Sequence, residues 1–139
     1  MKLLLYLSNR KNEDRLLRNA VMRIVPASQQ EVCFSFENLW RKLHQPLNAV
    51  EIAVISAGSR AELIRLTSLS ELFSDLRVIL VLPDRQKETI AMGLTLLPSY
   101  YCFADCNMSE LGAVLNKMIG ALCRKSRQGG SISDKAKLF

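Results

Sequence analysis

A chain of 139 residues with 49 % apolar content is long enough for one buried core. No apolar run approaches the roughly 18 residues of a membrane span, and the apolar stretch after Met1 ends at Leu7, short of the ~7–15 residues of a secretory leader. The expectation is a cytoplasmic protein that does not enter a membrane. Its formal charge is +6, but Arg124, Lys125, Arg127, Lys135 and Lys137 against Asp134 supply four of those charges, so the basicity is concentrated at the C-terminal end.

The first strand is predicted over Leu3–Leu7 (LLLYL), closed by Ser8 and Asn9, which suit a turn. Leu16, Leu17, Ala20, Val21 and Ile24 recur at helical spacing, predicting a helix over Asn12–Val25 that Pro26 ends. A second strand is read over Glu31–Phe36. A short helix follows over Glu37–His44, with His44 placed to meet the last carbonyls. The third strand is Val50–Ser56. Ser59-Arg60-Ala61-Glu62 has the spacing of a capping box and opens the third helix. Arg77–Asp84 (RVILVLPD) holds an unbroken apolar run, as in a strand covered on both faces. The fourth helix is read over Gln86–Leu97 with Ile90, Ala91, Leu94 and Leu97 inward. A fifth strand is read over Tyr100–Ala104 and a fifth helix over Glu110–Cys123.

Five strand-then-helix units predict right-handed crossovers and an α/β three-layer sandwich. At this length the expected fold is flavodoxin-like, (βα)5, with parallel sheet order 2-1-3-4-5. The domain is expected over residues 1–123, with 124–139 a flexible basic tail rich in Gly and Ser.

Cys33 and Cys102 fall inside predicted strands, where cysteine acts as a small hydrophobe. Cys102 and Cys106 have no second cysteine pair to complete a zinc site, and His44 is the single histidine, so no metal is expected. The chain carries no GxGxxG, no Walker A spacing and no nucleophile–base pair, so neither an enzyme nor a cofactor is read from it. For nucleic acid the tail is the only footing, without an aromatic-interleaved basic stretch.

Over residues 1–123 the chain resembles the receiver domain of bacterial response regulators. The resemblance lies in element order and in local strings: VIS closing strand three, VILVL for strand four, KETIAMGL for helix four, and Tyr101 early in strand five. It implies a phosphorylation pocket made of an acidic pair after strand one that holds Mg²⁺, an acceptor Asp ending strand three, a Ser/Thr ending strand four and a Lys ending strand five. This chain places Ser8 and Asn9, Ala57, Leu82 and Ala104 at those positions. Mg²⁺ needs hard carboxylate oxygens and the acceptor must be a nucleophile. The expectation is therefore a degenerate pseudo-receiver with no catalytic residue, acting in signal transduction through protein contacts. The resemblance points to the helix-four, strand-five, helix-five face, with Met92, Tyr101, Met108 and Leu111, as a surface for partners or a homodimer. The alternative is an anion or small ligand at the strand carboxyl edge, on Ser56, Gly58 and Ser59, where helix N–H groups converge.

Overall fold

A computed structural model describes residues 2–7, 11–45, 50–105 and 107–127. Five strands alternate with helices: β1 (Lys2–Tyr6), α1 (Lys11–Met22), β2 (Gln30–Cys33), α2 (Phe36–His44), β3 (Val50–Ser56), α3 (Arg60–Thr67), β4 (Arg77–Leu82), α4 (Lys87–Leu94), β5 (Tyr100–Phe103) and α5 (Met108–Arg127). Short 3-10 turns at Ala27–Gln29 and Ser70–Phe73 lead into β2 and β4. The strands form one all-parallel sheet in the order β2-β1-β3-β4-β5. This is the expected flavodoxin-like topology.

The alternation of side chains along each strand divides the core in two. Leu4 and Tyr6 of β1, Ala53 and Ile55 of β3, and Val78, Leu80 and Leu82 of β4 meet α2, α3 and α4 on one face. Leu3 and Leu5, Ile52 and Val54, and Ile79 and Val81 meet α1 and α5 on the other. Each fully buried aliphatic side chain contributes about 1.5–3 kcal/mol relative to exposure. The unbroken apolar strand runs thus follow from burial on both faces.

Several elements depart from the sequence expectation, each for a local reason. Strand β2 stops at Cys33 because Ser35 is spent as the N-cap of α2, its Oγ accepting the Asn38 N–H at 3.2 Å; Phe34 is left at the surface. In α1 the inward face is Asp14, Leu17, Ala20 and Val21, and Leu16 points out. Helix α5 continues to Arg127 rather than stopping at Cys123.

The largest departure is α4. Ile90 is half-buried, but Ala91, Leu94 and Leu97 do not face the sheet; the buried positions are Thr89, Gly93 and Leu96. Gly93 lies directly on β4: a Cβ there would stand 2.7 Å from Leu82 Cδ2 and 3.0 Å from Leu80 Cδ2. The helix backbone approaches the sheet where it lacks a side chain, and that rotation sends Leu94 and Leu97 outward, 46 % and 81 % exposed. Helix α4 ends through i→i−3 bonds from Leu96 to Gly93 and from Leu97 to Leu94. Leu97 takes the left-handed φ of 52°, and Pro98 cannot extend the helix.

Candidate functional site

The carboxyl ends of the strands form the edge at which proteins of this topology bind ligands. Ser8 and Asn9 lie outside the described residues, as does Cys106. Ala57 follows β3, is 2 % exposed, and its N–H donates to Val81 O at 3.0 Å. Leu82 ends β4, buried under Gly93. Ala104 follows β5, half-buried, its N–H donating to Leu82 O at 2.9 Å. Ala57, Leu82 and Ala104 thus sit at the ends of three adjacent strands, and all three present hydrocarbon.

Around these positions the loops are tied to one another by side chains. Ser56 Oγ donates to Asp14 Oδ1 at 3.2 Å, joining β3 to α1 across a buried contact. Arg60, in the first turn of α3, donates from Nε to Thr89 Oγ1 at 3.1 Å and from Nη2 to Gln86 Oε1, joining α3 to α4. Arg85 pairs with Asp105 at 2.6 Å and lies over the Phe103 ring at 4.4 Å, joining the loop after β4 to the loop after β5. Asp84 Oδ1 accepts the Gln86 N–H at 2.9 Å ahead of α4. Every carboxylate named here accepts a hydrogen bond from the protein. Among the described residues no three His, Cys, Asp or Glu side chains come together as a metal site.

The turn entering α3 is occupied in the same way. Ser59 Oγ accepts the Glu62 N–H at 3.2 Å, and Glu62 Oε1 accepts the Gly58 N–H at 3.2 Å. This is the reciprocal cap that the S-x-x-E spacing predicts, shifted by one residue on the return bond. Ser56, Gly58 and Ser59 therefore all have intramolecular partners. Burial, and then the Glu62 carboxylate that accepts its hydroxyl, pushes the Tyr6 phenol above its ordinary range. Burial likewise raises the Cys33 thiol, in keeping with an inert core position.

The surface of α4, β5 and α5 is narrower than the sequence suggests. Leu111 is fully buried against the sheet, and its side chain belongs to the core. Met92 and Met108 are half-buried and pack against the two core clusters. Tyr101 remains, 39 % exposed and edge-on to Phe103 with centroids 6.2 Å apart. The leucines that α4 turns outward, Leu94 and Leu97, add apolar surface at this end of the molecule.

Two features escaped sequence reasoning. Asp14 reads as an ordinary first-turn acid, which a helix N-terminus favours, yet it is buried and bonded to Ser56. Arg60 sits inside a capping motif that already explains its neighbours, and its role needs the α4 side chains from more than twenty positions downstream.

No protein-family profile matches the chain, and no curated protein matches it in sequence. Solved structures do. A response regulator from Thermotoga maritima superposes with a TM-score of 0.59 at 14 % identity, covering 86 % of this chain and 98 % of that one. A CheY-like response regulator from Mesorhizobium loti gives 0.59 at 14 %, covering 83 % and 97 %. A putative pilus assembly-related protein from Burkholderia pseudomallei gives 0.59 at 18 %, covering 84 % and 87 %. The fold is receiver-like. At these identities the likeness concerns the backbone.

Proposed function

We propose that this chain is a pseudo-receiver: a signalling interaction module that keeps the receiver framework, is not phosphorylated on aspartate, and exchanges signals through protein contacts on the α4–β5 end. The observation that carries the reading is the placement of α4, which spends Thr89 and Gly93 on the core and leaves Leu94, and Leu97 in the turn after it, exposed, while Tyr101 of β5 is exposed as well. Exposed leucines on a helix whose buried face holds a glycine are an expensive arrangement for solubility alone and a useful one for recognition.

The edge chemistry supports the same reading. A methyl group at Ala57 has no lone pair to attack phosphorus, and phosphoryl transfer needs a nucleophile and a cation. Leu82 and Ala104 offer neither a hydroxyl nor an ammonium group to a phosphoryl oxygen. The contacts from Arg60 to Gln86 and Thr89, and from Arg85 to Asp105, hold the loops after β4 and β5 in one arrangement. Recognition is then constitutive, or governed by an input other than phosphate.

Two measurements test this. Incubation with acetyl phosphate and Mg²⁺ should leave no acid-stable, base-labile adduct; a stoichiometric adduct would overturn the reading. Cross-linking and affinity capture should yield a self-associated species or a bound protein that Leu97→Glu removes without loss of fold. A strict monomer that captures nothing would count against the module.

A further inference from the structure

We infer a second recognition surface: the groove between α2 and α3, at the opposite side of the sheet from β5, takes an acidic peptide segment of a partner protein anchored by one apolar side chain. The groove is open to solvent, has a volume of about 410 Å³, and is lined by Phe36, Glu37, Trp40, Arg41 and Arg65. The sheet order puts β2 and β5 at opposite edges, so this surface shares no residue with the α4–β5 end.

The aromatic part is held in place. Trp40 is 48 % exposed, its ring 4.0 Å from that of His44, and His44 Nδ1 lies 2.7 Å from Trp40 O. Phe36 packs on the core with the Arg65 guanidinium 4.2 Å above its ring. Stacking fixes the orientation of Arg65 before any partner arrives, which lowers the entropy lost on binding.

The charges select the partner. Arg41 is exposed and makes no ion pair or hydrogen bond with a side chain among the described residues. Arg65 meets the one groove acid, Glu37, at 3.4 Å, with both side chains more than half exposed. Such a surface pair is worth only about 0–1 kcal/mol, so an incoming carboxylate can replace it at little cost. The groove therefore carries two guanidinium groups against one exchangeable carboxylate. A planar fork matches a carboxylate by two parallel hydrogen bonds, and a half-exposed tryptophan beside arginine is the composition of an interface anchor. A nucleic-acid strand fits less well. Base stacking needs open ring faces, whereas His44 covers one face of Trp40 and Arg65 one face of Phe36.

Trp40 is the single tryptophan of the chain, so its emission reports on this groove alone. The probe is a short synthetic peptide with one phenylalanine flanked on both sides by glutamates. Titrated into the full-length protein, it should give a saturable change in Trp40 emission that weakens with added salt. Arg41→Glu should raise the apparent Kd by about tenfold or more, with Arg41→Gln intermediate. Thermal unfolding of Arg41→Gln should stay close to the parent, with Arg41→Glu slightly lower because it sets an anion in the last turn of α2, and both should remain cooperatively folded. The inference is overturned by the absence of a saturable change, by equal affinity for a peptide with glutamines in place of the glutamates, or by unchanged affinity in Arg41→Glu. Tighter binding of oligothymidine than of the peptide would assign the groove to nucleic acid and overturn it as well.

Discussion

Helices α3 and α4 invite comparison because they are equal in length, lie side by side on one face of the sheet, and solve the same packing problem in opposite ways. Helix α3 buries Leu63 and Leu66 and is closed at its start by the Ser59–Glu62 cap. Helix α4 buries Thr89 and Gly93 and starts at Gln86 with no side-chain cap. The first relies on side-chain volume, the second on close backbone approach to Leu80 and Leu82. The buried Thr89 hydroxyl is satisfied from α3, by Arg60. What differs is the surface each leaves behind: α3 exposes Ile64 alone among its large apolar residues, whereas α4 and the turn after it expose Leu94 and Leu97. Helix α4 still packs Ile90 and Met92 against the core, but its closest approach to β4 is made by Gly93.

Substitutions that exchange the two strategies should separate them. Leu63→Ala removes a fully buried side chain from α3 and should cost about 2–5 kcal/mol in chemical denaturation. Leu94→Ala, the matching truncation on α4, should lie within about 0.5 kcal/mol of the parent; a loss as large as that of Leu63→Ala would mean that α4 faces the other way. Gly93→Leu forces volume between α4 and β4, and should destabilise by about 1–3 kcal/mol. Ser59→Ala deletes the α3 cap and should cost about 1 kcal/mol. The sign should reverse at Leu97, where glycine relieves the left-handed backbone and loses little burial. Leu97→Gly should be neutral to about 1 kcal/mol stabilising, with the loss falling on partner capture instead.

Much of the framework is legible in the residues. The bounds of β3, Val50–Ser56, agree residue for residue, because the apolar run Ile52–Ile55, led in by Val50, has one reading when both faces are covered. The cap at Ser59 is equally local. Helix α4 misleads because periodicity counts apolar residues and assumes they point inward. Nothing in KETIAMGL says that Leu80 and Leu82, on another element, leave room only for a glycine. The same limit hides the edge contacts. Ser56–Asp14 and Arg60–Thr89 join residues far apart in the chain, and each partner has a sufficient local explanation. The groove of Phe36, Trp40 and Arg65 is invisible until α2 and α3 are laid side by side.

The seclusion of Ala57 has a consequence for anyone wishing to put this protein under the command of a kinase. A lone Ala57→Asp graft would set an anion in a nearly water-free niche, next to the Ser56 that already serves Asp14, with Leu82 and Ala104 giving it no counter-charge. Desolvating an uncompensated carboxylate costs several kcal/mol or forces it to hold its proton, and a protonated acid is no nucleophile. Rewiring would require rebuilding three loops together, since the whole neighbourhood of Ala57, rather than one missing atom group, disfavours a charged side chain there.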